Sequence, residues 1–438
     1  MDKFFSVGVL ERSQGGSTDV TEPLPVVAAP RMTDTKPLPV IQQYRGRHAL
    51  AGRPREDERL RVCPQQEARH ARRGRYCHAE TRGARQPKVI VLVPVHNELE
   101  VGATIEAILS QSRPPDEVYV CTDNVSDERI WDIAMRYPVS VTCTVGNTYR
   151  KAGNLNTALA SLLSYGAVSD GDVIMGFDAD SVPGRHFIAN ALTWLGKGYG
   201  AVGATFHGRS GGGMLGLLQR AEFARFARHQ HRKTKCDVLS GTGWAIPAGL
   251  LRGIAASRPD GQVYDAAHIT EDFELTLKLR YHGVDAVAPS DCAVTTDVMV
   301  TVGDWVTQRL RWQHGTLLAL RQYGWSPSTR EMIIRQVMIY LVMLATPLTA
   351  VYLVWSFAIF GWQGINPLNA PVYAIGIGVV VCEQAWQARK AGPRAVLSTL
   401  TIWPDLLYSM ARQVIYIRAA WRFLRNRTST WGAGTSIR

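Results

Sequence analysis

The chain has seven cysteines, an odd number, and no two of them stand as a C-x-x-C pair. That argues against a disulfide framework and suits a reducing compartment. No apolar run follows the N-terminal Met, so no signal peptide is expected. No stretch before residue 88 is long and apolar enough to cross a bilayer. An aromatic-rich strand of the kind that stacks RNA bases is also missing. What is in excess is positive charge, a net +12, which calls for an anionic partner: nucleic acid, lipid headgroups or phosphates. With no RNA signature, nucleic acid is not expected.

At 438 residues the chain has material for two or three domains. Residues 1–86 stand apart. Ser13 to Pro39 is rich in Pro, Thr, Gly and Ala, and Arg45 to Arg85 is dense in arginine. Such a segment buries little and reads as a basic, disordered or weakly helical arm. Cys63, His70, Cys77 and His78 within it match no familiar zinc spacing.

From residue 87 strands and helices alternate. KVIVLVPV (88–95) is a short continuous apolar run, as a parallel strand buried on both faces requires. Further strands are predicted over 117–123, 139–145 and 173–178, with helices over 101–112, 126–136 and 152–165. That alternation predicts an α/β fold built on a doubly wound sheet with right-handed crossovers, occupying 87–330. Ligands of such sheets bind at the carboxyl ends of the strands.

Residues 331–438 differ again. QVMIYLVMLATPLTAVYLVWSFAIF (336–360) carries no charged residue and is long enough to span a bilayer. A second span is expected from Ala370, reaching residue 388 by including Glu383. The loop between them has no Lys or Arg, whereas Arg389, Lys390 and Arg394 follow. The hairpin therefore starts and ends in the cytoplasm. The apolar segment 395–419 contains Asp405 and Arg412 and precedes a basic tail, so it is expected to lie on the membrane as an amphipathic helix. The expected location is a multi-pass membrane protein with a cytoplasmic α/β domain.

Within the α/β region, VIMGFDADSVPG (173–184) ends an apolar run in Asp178 and Asp180. Two readings compete. Asp, Ser, Pro and Gly form turns. Alternatively, strand residues i and i+2 share a face, so the two carboxylates can meet one divalent cation and phosphate oxygens. Other polar groups fall at neighbouring strand ends. VPVHNE carries Pro94 and Glu98, and CTDNVSD places Asp123 where it can accept from a nucleobase or ribose, or simply cap the next helix. RKAGNLN places Arg150, Lys151 and Asn154 at a helix start suited to phosphate.

Later come GTGWAIP (241–247), ITEDFEL (269–275) and WVTQRLRW (305–312). Asp272 can act as a general base, or it can complement a helix dipole beside Glu271. Gln308 and Arg311 are i and i+3 on one helix, with Trp312 adding a flat apolar face. Each also fits a basic helix lying on a membrane.

In order, a strand-end Asp, D-x-D, T-E-D, Q-x-x-R-W and membrane segments resemble glycosyltransferase family 2. The nearest likeness is to membrane-bound synthases of the cellulose, chitin and hyaluronan group, over about 88–320. The resemblance implies a GT-A fold that uses a nucleotide-sugar, expected to be a UDP-sugar, with Mg²⁺ or Mn²⁺. It assigns Asp123 to the nucleobase, with Pro94, Glu98, Lys151 and Asn154 also on the donor side. Asp178 and Asp180 match the metal and diphosphate pair. Asp272 matches the catalytic base, and Gly241, Thr242, Trp244 and Glu271 lie on the acceptor side. Gln308, Arg311 and Trp312 match the interfacial helix that closes over donor and acceptor, with Arg311 stabilising the leaving diphosphate. The implied chemistry is an inverting transfer that forms a β-linkage. Relatives that extrude polymers carry more membrane segments than this chain offers. One or a few sugars delivered to a lipid-linked, protein or glycan acceptor is therefore expected ahead of processive synthesis.

Overall fold

A computed structural model describes residues 8–10, 86–123, 128–144, 147–164, 168–231, 235–361 and 370–425. The basic arm therefore lies outside the described residues, apart from the short strand β1 (Gly8–Leu10). So do its cysteines and histidines and the end of the basic tail.

The described chain divides into two compact units, Met1–Phe206 with Gln230–Thr296, and His207–His229 with Asp297–Arg438. The first unit is organised by β2 (Val89–Val95), all seven residues of which are buried. Parallel neighbours flank it on both sides: β3 (Glu117–Asp123) and β5 (Val173–Gly176), with β4 (Ser140–Thr144) beyond β3. Alternate side chains of β2 enter opposite layers. Val89, Val91, Val93 and Val95 pack with α1 (Val101–Leu109), α2 (Arg129–Ala134) and, further along, α4 (Phe187–Gly196). Ile90 and Leu92 pack on the other face with α3 (Arg150–Ser164), α6 (Ala248–Ala256) and α7 (Glu271–Tyr281). Covering both faces is why the strand reads as unbroken apolar sequence. Each fully buried aliphatic side chain contributes roughly 1.5–3 kcal/mol.

The sheet has eight strands in the order β1-β4-β3-β2-β5-β9-β7-β10. Its far half is mixed: β9 (Trp244–Pro247) runs antiparallel to both β5 and β7 (Ala201–Gly203), and β10 (Ala286–Val287) is parallel to β7. A smaller sheet joins β6 (Val182–Pro183), β11 (Ala293–Thr296) and β8 (Thr205–Gly208).

The second unit is helical. It contains most of α5 (Gly213–His231), then α8 (Val302–Tyr323), α9 (Arg330–Phe360), α10 (Ala370–Ala388), α11 (Pro393–Leu400) and α12 (Trp403–Leu424). The Q-x-x-R-W helix α8 therefore groups with the C-terminal helices rather than with the sheet. Among the described residues one helix, α9, is long and apolar enough to cross a membrane by length and composition. The expected second span, α10, is helical over 19 residues.

The segment 395–419 is not one helix. It breaks before Trp403, where Ile402 takes φ +65°. Pro404 has no N–H to continue α11 and suits the first turn of a new helix instead. Two charged residues of α12 meet protein partners: Asp405 is buried and pairs with Arg225 at 3.3 Å, and Arg412 pairs with Glu222 at 3.0 Å. Leu407, Met410, Val414, Ile417 and Trp421, spaced three and four apart, are exposed.

Candidate active site

In the first unit the polar side chains collect at the carboxyl ends of the parallel strands. Strand β5 stops at Gly176, where the Trp244 ring occupies the space of a Cβ. Asp178 and Asp180 thus sit in the turn that follows and not on a strand face. The expectation that strand alternation aligns them is corrected. That turn is closed by the Ser181 N–H donating to the Asp178 carbonyl at 3.0 Å. Thr104 of α1 pins it from below through the Ala179 carbonyl, 2.8 Å away.

Lys151, in the first turn of α3, forms an ion pair with Asp178 and lies 3.6 Å from Glu271. Burial alone would lower the Lys151 ammonium, but Asp178, Glu271 and Asp272 outweigh it and hold the group above its ordinary value. Gly241 completes the contact. A Cβ there would land on the Lys151 amine and against the Asp178 carboxylate. The Gly241 N–H donates to Asp272 Oδ2 at 3.3 Å, and the Phe273 N–H donates to Asp272 Oδ1 at 2.8 Å. Three carboxylates from two elements therefore surround one amine. Asp180 Oδ1 accepts from the hydroxyls of Ser181 at 3.1 Å and Thr296 at 3.4 Å.

The neighbouring strand ends carry the other expected donor-side residues. Asp123 is buried and accepts from the Thr144 hydroxyl at 2.9 Å. Glu98 folds back on its own loop, accepting from the N–H groups of His96 at 2.7 Å and Asn97 at 3.1 Å. Pro94 is paired in register with Cys121 inside the sheet. Asn154 is 2 % exposed and donates to the Cys121 carbonyl at 2.6 Å, so it ties α3 to β3. Thr242 bonds the Ser240 hydroxyl at 3.0 Å. Trp244 is 3 % exposed, which leaves little of its ring to meet an acceptor.

Sequence reading passed over two residues here. The His96 ring nitrogen Nδ1 lies 2.7 Å from the Asp123 carbonyl, bridging the ends of β2 and β3. Asn147 holds the loop before α3, donating to the Arg150 carbonyl at 2.7 Å while accepting from the Tyr149 N–H at 2.8 Å. Arg150 is thereby kept at φ +55°, a conformation non-glycine residues rarely adopt, immediately before Lys151. The Arg-Lys pair advertised a phosphate site; nothing in one dimension advertised its support.

In the second unit, Gln308, Arg311 and Trp312 lie on α8, all half-buried. That helix starts with the Thr301 hydroxyl accepting from the Asp304 N–H.

For a divalent cation, no three His, Cys, Asp or Glu side chains among the described residues converge closely enough to hold one alone. The fit is to an ion that takes one or two carboxylates and completes its shell with phosphate oxygens and water, as Mg²⁺ does.

The mixed sheet with its loop-borne carboxylates defines a GT-A glycosyltransferase fold. The chain belongs to the glycosyltransferase-like family 2, whose profile matches residues 87–315. It is 26% identical over 254 residues to the probable glycosyltransferase YdaM of Bacillus subtilis, covering 52% of this chain and 55% of that protein. It is 35% identical over 113 residues to the cellulose synthase catalytic subunit of Pseudomonas fluorescens, covering 25% of this chain and 14% of that one. The chain thus spans about half or less of the length of these curated relatives. Among solved structures it resembles the mannosyltransferase PcManGT of Pyrobaculum calidifontis in complex with GDP-Man and Mn²⁺. The TM-score is 0.52 at 19% identity, over 83% of this chain and 94% of that one.

Proposed function

We propose that the protein is an inverting, metal-dependent glycosyltransferase that moves a sugar from a nucleoside-diphosphate donor to an acceptor carried at a membrane. One observation carries this reading. Asp178, Glu271 and Asp272 gather around Lys151 at the strand ends, beside Asp180, in a chain of this family. Asp180 and Asp178 would hold Mg²⁺ or Mn²⁺, which supplies positive charge to a departing diphosphate. Asp123 and His96, at the carboxyl ends of β3 and β2, would hold the nucleobase. Asp272 takes the proton of the acceptor hydroxyl. That oxygen bonds to the anomeric carbon as the bond to the diphosphate breaks, so an α-linked donor gives a β-linked product. Its two backbone N–H partners aim the Asp272 carboxylate without involving a second acid. Helix α8 offers groups of matching chemistry: an Arg311 cation suited to a diphosphate and a Trp312 face suited to a sugar ring.

A UDP-sugar is the expected donor, and GDP-sugars belong in any test because the solved mannosyltransferase holds one. The apolar helix α9, with α10 as a second span and the outward apolar stripe of α12 on the bilayer, would keep the first unit at the cytoplasmic surface. A lipid-linked or protein acceptor follows from that placement. Processive synthesis is the second reading, favoured by the segment shared with a cellulose synthase.

The test is turnover by detergent-solubilised protein across a panel of UDP- and GDP-sugars with Mg²⁺ or Mn²⁺, with membrane extract as acceptor. Metal-dependent nucleotide release from one donor, lost in Asp272→Asn, is expected. Product length separates single transfer from polymer. No turnover of any donor would overturn the reading.

A further inference from the structure

The second unit contains a partly buried charge cluster that the reaction above does not use. Glu222 of α5 accepts from Arg309 Nη2 at 2.8 Å and from the Tyr408 hydroxyl at 2.5 Å through Oε2. Its other oxygen accepts from Arg412 Nη1 at 3.0 Å. Burial alone would raise the Glu222 carboxyl, but the two guanidiniums hold it far down, at about 2. Tyr408 in turn accepts from the Trp305 indole N–H at 2.9 Å. Arg309 is 3 % exposed.

The free side of Arg309 meets two members of the Q-x-x-R-W sequence it is embedded in. Its Nη1 donates to the Gln308 side-chain oxygen. Its guanidinium carbon lies 4.3 Å from the centroid of the Trp312 ring, a cation–π stack. A guanidinium has no acceptor, so only the carbonyl oxygen of the Gln308 amide can face it. The amide NH₂ is then the group presented to a ligand, which selects an oxygen-rich partner such as a phosphate or a sugar hydroxyl.

We infer that Arg309, anchored by Glu222, is a positioning residue that sets the amide orientation of Gln308 and the ring orientation of Trp312. This rests on the proposed glycosyl transfer for its effect on rate, but not for the geometry itself. A planar fork is required. Lysine would keep the charge beside Glu222 yet offer neither the stack nor the directed donor to Gln308.

The test uses the full chain in detergent, labelled with fluorotryptophan. The Trp312 fluorine resonance is assigned by its loss in Trp312→Phe, and that of Trp244 by its loss in Trp244→Phe. In Arg309→Lys the protein is expected to stay folded, with the Trp244 resonance unmoved and the Trp312 resonance shifted or broadened. kcat for transfer should fall at least about tenfold, and about 10²-fold in Arg309→Met, with the donor KM little changed. An Arg309→Lys protein with an unshifted Trp312 resonance and wild-type kcat would overturn the inference, because a merely structural ion pair is rescued by lysine. If the wild type turns over no donor, the glycosyltransferase reading fails, while the resonance of Trp312 still decides the positioning role.

Discussion

The two units hold charge clusters of opposite construction. In the first, one cation, Lys151, stands among Asp178, Glu271 and Asp272, with Asp180 close by in the same turn. In the second, one carboxylate, Glu222, stands among Arg309, Arg412 and the Tyr408 hydroxyl. The proposed function adds a divalent cation to the first cluster. The second has three donors for one acid, and its acid is held by fixed geometry on three helices. On that proposal the first cluster is completed by a ligand. A cluster closed on itself is built to hold neighbouring groups still.

Breaking each cluster should therefore give different symptoms. In the first unit, Asp272→Asn should leave folding intact and lower transfer by about 10²–10⁴-fold, the usual worth of a general base. Nucleotide release against enzyme concentration, alongside an unchanged thermal melt, checks both halves. In the second unit, Glu222→Gln strands the buried Arg309 guanidinium and releases the half-buried Arg412 one, and should cost about 3–5 kcal/mol of stability. Denaturant unfolding reads that loss, and a midpoint equal to wild type would contradict a stabilising role for Glu222. Acid should do the same more gently. The Glu222 carboxyl is depressed from its ordinary 4.5 to about 2. Its contribution is present above about pH 4.5 and is lost as pH falls toward 2, an effect of about 3 kcal/mol. Melts taken between those pH values should show that loss in the wild type and a flatter slope in Glu222→Gln.

Legibility in the sequence followed the same division. The sheet centre was readable because β2 is covered on both faces and so is apolar at every position. The far strands were not. β7, β10 and β11 are two to four residues long, too short for any periodicity to show. The carboxylates of the first cluster were found because their order along the chain matches a family. Strand alternation does not apply to Asp178 and Asp180, because β5 ends at Gly176, before both. The partner of Asp405, Arg225, lies 180 residues away and carried no signal in the sequence. Glu222 carried no signal, since it lies on a helix with no motif and its partners are 87, 186 and 190 residues away. Arg309 was in plain view inside Q-R-L-R-W, and only its contacts distinguish it from a filler position.

The central claim is that the acidic turn of the first unit is completed by a divalent cation and a nucleoside diphosphate. Calorimetric titration of UDP and GDP into the protein, with Mn²⁺ and then with chelator, tests it most directly, with Asp180→Asn as the matched variant. The account predicts binding of one nucleotide in Mn²⁺ that weakens by at least about tenfold on chelation and in the variant. Equal binding with metal, without it and in Asp180→Asn would contradict it.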